Sequence, residues 1–361
     1  MTQSAPLFKL LKRTVLFSLL LGTLFASCKK STPAIPTDKT TLQAKITVAQ
    51  GYSDNSLEGT KPGQYEVGSK VALNVALAAS KLVLADPNAS QTTINAATAN
   101  LQGAIDVYLS HFIKEIAAAN LIGFWKFNGN ANDSSGKGNN GVVTVGHAYY
   151  GAGTPTLTAD RFARANMAYH FDKGGNIEVP YSTTLNPVEM TISLWAKKSI
   201  VGRTINTDTY TFLALNRWNG FKFQLQSGNL PFYTVKVLRG VGDTTIYDRD
   251  DAGIAVTNDV WYHIVVAFKS GKMDFYLNGD LVKTWDATTP NPVPGTALTM
   301  ATPISFVIGQ DLPTSKYLTT DGDYQVAWGG FFTGDMDDVM FYNIALDGPQ
   351  VKSIYTNQKT L

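Results

Sequence analysis

The sequence of 361 residues is poor in cysteine, histidine and charge. It contains one cysteine and four histidines, and 16% of its residues are charged, compared with about 25% in typical soluble domains. A single cysteine excludes a disulfide framework and any site built from several thiolates. The net charge of +2, without a long basic run, argues against a nucleic-acid partner. Hydrophobic residues make up 44% of the chain, too many for a disordered protein and enough for a large core.

The N-terminal segment has the features of an export signal. Lys9, Lys12 and Arg13 form a basic start, and the apolar run Val15–Phe25 follows. That run is too short to span a membrane. We therefore predict a signal peptide over residues 1–27.

The single cysteine, Cys28, directly follows the small residues Ala26 and Ser27. This arrangement resembles the lipobox of bacterial lipoproteins. The resemblance implies that Cys28 is acylated and anchors an outer-membrane lipoprotein of the cell envelope, which contacts the membrane through its lipid alone. Residues 28–39 would then form a short tether. An ordinary secretory peptide with a chance cysteine is the alternative.

Residues 40–116 carry apolar residues at helical spacing, with most glycine and proline between segments. Ser90 is the predicted N-cap of the third helix. The apolar stripe of the second helix is predicted to contain Val71, Val75, Leu77, Leu82 and Leu84. Three antiparallel helices that bury such stripes would form a small bundle.

Two segments of this helical unit, Lys61–Tyr65 and Ala96–Leu101, carry a resemblance to known proteins. With the alanine-rich middle helix, they resemble the FIVAR-like helical modules of bacterial surface proteins. The resemblance implies a spacer or a glycan-contacting module, and the sequence does not choose between these roles.

From Leu121 onward the apolar residues alternate with a period of two, and turn signals recur at short intervals. The predicted strands cover residues 122–127, 168–172, 176–179, 190–198, 210–216, 221–226, 233–238, 261–268, 273–277, 305–309 and 338–342. Asn278 and Gly279 predict a type I′ hairpin turn. The chain is therefore predicted to be mainly β, a two-sheet antiparallel jelly-roll sandwich preceded by the three-helix bundle.

Four segments in order resemble the laminin-G-like, concanavalin-A-like jelly-roll family. They are Gly123–Gly136, Met190–Trp195, Trp261–Val266 and Gly334–Leu346. The resemblance implies a concanavalin-A-like jelly roll over residues 120–361. It says much less about function, because one fold hosts many functions.

Jelly rolls of this kind often bind one structural calcium ion near their first and last strands. Carried over to this chain, the resemblance implies Asn130, Asp133, Asp337 and Asp338 as ligands, with Asn176 as a further candidate. Carboxylate and amide oxygens suit Ca²⁺. The alternative is that these residues cap turns.

The same fold also occurs in glycoside hydrolases, which need two facing carboxyl groups. The glucanases of this fold place them as Glu-x-Asp-x-x-Glu on one strand. The jelly-roll region has two glutamates, Glu178 and Glu189, and neither has an acidic residue two or five positions away. We therefore predict no enzyme. An acidic pair drawn from Asp335, Asp337 and Asp338 is the less favoured hydrolase alternative.

Sugar-binding sites stack sugar rings on exposed aromatic side chains and bind hydroxyls with polar ones. The candidates outside the strand alternation are Trp218, Tyr247, Tyr317 and Trp328. The connection 310–330, which is long for a hairpin, contains two of them, and long loops in compact domains are usually functional. The alternative is that these aromatic side chains close the edge of the sandwich.

The predicted function combines these features. We expect a non-catalytic, lipid-anchored envelope protein whose jelly roll binds a polysaccharide or other glycan, beside envelope protein partners that use polysaccharides. A structural or adhesive sandwich that binds another protein is the alternative.

Overall fold

The structure is a computed structural model that describes residues 37–200, 209–250, 254–289, 293–320 and 322–360. The predicted signal peptide, the lipidation residue Cys28 and most of the predicted tether lie outside the described residues. Within these ranges no helix has both the length and the apolar character to cross a membrane.

The helices are α1 Thr40–Asn55, α2 Lys70–Ala85, α3 Gln91–Ser110 and α4 Gly348–Gln358. The first three pack around Leu42, Leu73, Leu101 and Tyr108, none of which is exposed. Ser90 caps α3 as predicted, because its side chain accepts a hydrogen bond from the backbone N–H of the third residue beyond it. These three helices form the expected bundle.

The apolar stripe predicted for α2 is partly wrong. Leu77 is buried, whereas Val71, Val75 and Leu82 are 66%, 67% and 74% exposed. The helix turns by about 100° per residue, which places these three side chains away from the buried Leu73 and Leu77. Because α2 is rich in alanine and apolar on most sides, spacing alone did not show which side faces the bundle.

The strands follow in chain order. They are β1 Glu58–Gly59, β2 Tyr65–Glu66, β3 Leu121–Trp125, β4 Val142–Thr144, β5 Thr156–Thr158, β6 Ala168–Phe171, β7 Asn176–Val179, β8 Met190–Lys198, β9 Tyr210–Leu215, β10 Phe221–Gln226, β11 Leu230–Gly240, β12 Asp243–Asp250, β13 Trp261–Lys269, β14 Lys272–Leu277, β15 Asp280–Trp285, β16 Thr296–Ala297, β17 Phe306–Ile308 and β18 Gly334–Tyr342. The pair β1 and β2 belongs to the helical unit.

The remaining strands form two antiparallel sheets of eight strands each. The front sheet has the order β12-β11-β10-β9-β17-β7-β4, with β16 beside β11. The back sheet has the order β15-β14-β13-β8-β18-β6-β5, with β3 beside β18. Two such sheets, packed face to face, are a jelly-roll sandwich and confirm the predicted fold class.

Aromatic side chains from both sheets meet in the core between them. Phe306 of the front sheet stacks between two rings of the back sheet, at 5.5 Å from Trp125 and 5.6 Å from Phe341. The turn after β14 has the expected conformation, because Asn278 and Gly279 both have positive φ angles, 52° and 80°.

The C-terminal helix α4 lies between the bundle and the sandwich. Ser353 and Asn357 of α4 donate hydrogen bonds of 2.5 and 3.2 Å to the carbonyl oxygen of Thr60. Lys114, which follows α3, forms an ion pair of 2.8 Å with Asp347 at the start of α4. The helical unit is thus joined to the sandwich through polar contacts with α4.

Candidate functional site

Two of the predicted tryptophans lie side by side at one end of the front sheet. Trp218 belongs to the one-turn helix Arg217–Asn219 that joins β9 to β10, and Trp328 belongs to the one-turn helix Val326–Trp328 between β17 and β18. Their ring centroids are 6.2 Å apart, and their planes are inclined by 46°. Trp328 is 56% exposed, and Trp218 is partly buried. Two segments distant in sequence therefore form one aromatic rim.

A groove of about 460 Å³ extends from this rim across the outward face of the front sheet. It is lined by Thr209, Trp218, Lys222, Gln226, Phe232, Ile246 and Asp248. On β10, Phe221, Phe223 and Leu225 are buried in the core. Successive side chains of a strand alternate between faces, so Lys222 and Gln226 point to the groove. The groove offers an aromatic surface beside amide, hydroxyl and charged groups.

Three strands place a polar row across the groove. Lys222 of β10 pairs with Thr234 of β11, which pairs with Asp248 of β12. The Thr234 hydroxyl donates a hydrogen bond of 2.6 Å to Asp248. The Lys222 ammonium lies 5.6 Å from the centroid of the Trp218 ring. Burial lowers the pKa of Lys222, although the Asp311 and Asp248 carboxylates oppose this effect.

A buried arginine joins the two segments that carry the tryptophans. Arg217 has no exposed surface, and its Nε donates a hydrogen bond of 2.9 Å to Asp311. Its Nη1 donates to the carbonyl oxygens of Asp323 and Gln325 at 2.8 and 3.2 Å. The guanidinium also lies 4.7 Å from the ring centroid of Trp218. Arg217 therefore supports Trp218 and fixes the loop that carries the other tryptophan.

Tyr317 lies beneath this rim, which corrects the prediction that it contacts carbohydrate. It is 6% exposed, and its hydroxyl donates a hydrogen bond of 2.5 Å to Asp311. Burial raises the pKa of Tyr317 well above its usual value, so the hydroxyl keeps its proton. Tyr317 orients the carboxylate that binds Arg217 and offers no ring face to a ligand.

Tyr247 faces away from the groove, which corrects the second prediction of this kind. It pairs with Val235 and packs against the core, while its neighbours Ile246 and Asp248 line the groove. The alternation along β12 accounts for this placement. Tyr247 lay outside the strands predicted from the sequence, because the polar pattern of residues 243–250 did not indicate β12.

The residues predicted to bind calcium near the first strand cap turns. The two carboxylate oxygens of Asp133 accept hydrogen bonds of 2.8 to 3.0 Å from the backbone of Phe124, Ser135 and Asn139 and from the Ser135 hydroxyl. Asn130 accepts one from the backbone N–H two residues later. These contacts match the alternative interpretation, in which these side chains cap turns.

The other predicted ligands have partners elsewhere. Arg161 forms ion pairs with both Asp337 and Asp338, the second at 2.8 Å. Burial, followed by the Asp338 carboxylate, raises the pKa of Asp337. Asn176 is buried and donates a hydrogen bond of 2.9 Å to Thr314. In the described ranges no group of three acidic, histidine or cysteine side chains is placed to hold a metal ion.

The acidic residues considered for hydrolysis are also paired with cations. Asp335 contacts His170 and Lys197, each at 2.6 Å, while Asp337 and Asp338 share Arg161. The carboxylates of Asp335 and Asp337 are nearly inaccessible. This arrangement does not place two free carboxyl groups across a groove.

Sequence reasoning missed Lys222 and Arg217. The alternation from Phe221 to Gln226 predicted a strand with Lys222 on its polar face, but nothing local indicated which surface that face would form. The burial of Arg217 depends on Asp311, which is distant in sequence.

Comparison with known proteins identifies one family, a short stretch of sequence similarity to an enzyme, and similarity to solved structures. The family model described as the concanavalin A-like lectin/glucanases superfamily matches residues 171–352. A stretch of 76 residues, 21% of this chain, is 45% identical to a gellan lyase from a Bacillus species. The chain covers 3% of the length of that enzyme.

Two solved structures show weaker similarity. Domain 4 of AbnA, a GH43 extracellular arabinanase from Geobacillus stearothermophilus solved with arabinotriose, has a TM-score of 0.45 and 20% identity, covering 65% of this chain and 98% of that chain. The binding domain of Paraclostridial Mosquitocidal Protein 1 has a TM-score of 0.45 and 15% identity, covering 66% and 52%. At these TM-scores neither similarity supports an inference about a ligand.

Proposed function

Because the chain belongs to the concanavalin A-like lectin/glucanase superfamily, we propose that it binds carbohydrate in the groove beside Trp218 and Trp328. The observation that carries the proposal is the pair of tryptophans at one end of a groove that Lys222, Gln226 and Asp248 also line. Sugar rings have apolar faces that pack on aromatic side chains, and their hydroxyls need hydrogen-bonding partners. The groove offers both kinds of contact.

In this proposal the protein binds its ligand without cleaving it. The ion pairs that occupy Asp335, Asp337 and Asp338 support a structural role for these carboxylates. The short match to a gellan lyase covers too little of that enzyme to support assigning its activity to this chain. The sequence around Cys28 supports a further proposal, that a lipid anchor holds the protein in the cell envelope beside partners that use polysaccharides.

Binding assays on tryptophan variants test the proposal. We expect affinity electrophoresis of the full chain to find retardation by at least one polysaccharide in a panel of neutral and acidic ones. W218A and W328A should each weaken binding about tenfold, which corresponds to ~1.4 kcal/mol of lost binding free energy.

The matched control is W261A, which removes a partly buried tryptophan from the back sheet. It should bind like the wild type. Failure of every polysaccharide to bind, or equal affinity of W218A, W328A and wild type, would contradict the proposal.

A further inference from the structure

The ammonium group of Lys222 faces the groove without a charged partner. Among the described residues no carboxylate lies within ion-pairing distance of it, and no hydrogen bond satisfies it. Two other lysines differ, since Lys236 of the front sheet contacts the side chain of Asn219 and Lys197 of the back sheet contacts Asp335. A partly buried charge is normally paired, because loss of hydration is costly.

The carboxylates of Asp311 and Asp248 favour the charged form of Lys222, but neither forms an ion pair with it. Asp248 lies two strands away and accepts the hydroxyl proton of Thr234. Asp248 is therefore already hydrogen-bonded within the protein, whereas Lys222 lacks such a contact. Attraction between opposite charges is also stronger in a partly buried site than in bulk water.

We propose that the groove recognises carbohydrate that carries an acidic group, with the anion paired to Lys222 and the sugar ring packed on Trp218. The distance of 5.6 Å between the ammonium and the Trp218 centroid places the two contacts within one sugar unit. This inference rests on the proposed carbohydrate-binding function. The lowered pKa of Lys222 agrees with it, because burial desolvates the ammonium and a bound anion would stabilise its charged form.

Titration of the full chain with four polysaccharides tests the inference. The probes are polygalacturonate and hyaluronan for carboxylates, dextran sulfate for sulfates, and dextran as the neutral reference. We expect at least one acidic polymer to bind about tenfold more tightly than dextran. The carboxylate and sulfate probes show which anion the site accepts, and either one supports the inference.

Variants of Lys222 assign the preference to this residue. K222Q should weaken binding of the acidic polymer more than binding of dextran and so lose the preference, and K222R should keep most of it. K137Q, which removes an exposed lysine from a distant loop, is matched in charge and should behave like the wild type. Raising the salt concentration from about 50 to about 500 mM should weaken acidic binding in the wild type more than in K222Q.

The outcomes separate this inference from the proposed function. If dextran binds as tightly as every acidic polymer, or if K222Q weakens both kinds of ligand equally, the acidic specificity is wrong while carbohydrate binding stands. If W218A and wild type bind none of the probes or other polysaccharides, carbohydrate binding itself is wrong. If K137Q loses the preference as K222Q does, net charge rather than Lys222 determines it.

Discussion

Arg217 and Trp218 are adjacent in the sequence but lie in different surroundings. Trp218 lines the groove, whereas Arg217 points inward and has no exposed surface. The positive φ angles of Asn216 and Arg217, 60° and 53°, turn the chain at this point. The polar neighbours of Trp218 indicated an accessible ring, but the buried partner Asp311 could be found only in three dimensions.

Loss of Arg217 should destabilise the protein strongly. R217M leaves Asp311 buried without its cation, which should lower the free energy of unfolding by about 3 to 5 kcal/mol. The double variant R217M/D311N should be more stable than R217M, because no uncompensated charge remains. Urea denaturation measures both effects.

The control for Arg217 is an arginine in an exposed pair. Arg239 contacts Asp243 at the surface, and R239M should change the free energy of unfolding by less than about 1 kcal/mol. If the free energy of unfolding decreases no more in R217M than in R239M, Arg217 does not stabilise this region.

The burial of His263 should make the free energy of unfolding decrease in mild acid. It is fully buried beside Ser193, and burial, together with the charge of Arg161, lowers its pKa to about 3. An exposed histidine in the unfolded chain titrates near pH 6.5. Between these values the unfolded state binds one proton more than the folded state. The contribution of neutral His263 to the free energy of unfolding is therefore fully present above about pH 6.5 and decreases as pH falls.

The variant H263Q removes this contribution. From pH 7 to pH 5, the free energy of unfolding of the wild type should fall by about 2 kcal/mol more than that of H263Q in urea denaturation. H147N changes a histidine in a surface turn and should follow the wild type. Parallel decreases in wild type and H263Q would show that His263 is not the source.

At the level of elements, the strands buried in the core were the most predictable. The alternating pattern gave the bounds of β7, β8 and β10 as observed. The edge strand β12 was missed, because its sequence Asp243–Asp250 carries polar and charged residues that suit an edge and resemble a loop. The helix α4 was missed although Asp347 and Gln350 form a capping box, a signal that was present in the sequence.

Residue 279, the second residue of the turn between β14 and β15, should not accept any residue larger than glycine. Gly279 has a φ of 80°, and a Cβ atom there would lie 2.8 Å from Tyr355 of α4. G279A should therefore lower the free energy of unfolding by about 1 to 3 kcal/mol in urea denaturation. Gly240 has open space around it, and G240A should change stability by less than about 0.5 kcal/mol. Equal stability of the two variants would contradict this account of the turn.

At the level of the whole molecule, the fold followed from the sequence more fully than the site did. Alternation and turn residues are local properties, and they were enough to predict the sandwich after a helical bundle. The groove depends on which strands become neighbours, since Lys222, Thr234 and Asp248 meet only through pairing across three strands. The sequence therefore predicted Trp218 and Trp328 as candidates but not the charged row beside them.

The position of β18 in the back sheet determines the order in which the chain can assemble. This late strand pairs with β3, β6 and β8, so β3 cannot pair with its neighbouring strand in the sheet until residues 334–342 have been synthesised. The three-helix bundle needs only residues near one another in sequence and can form earlier. During synthesis the bundle would form while the edges of β3, β6 and β8 that pair with β18 are still unpaired. Unpaired strand edges promote the aggregation of incomplete chains.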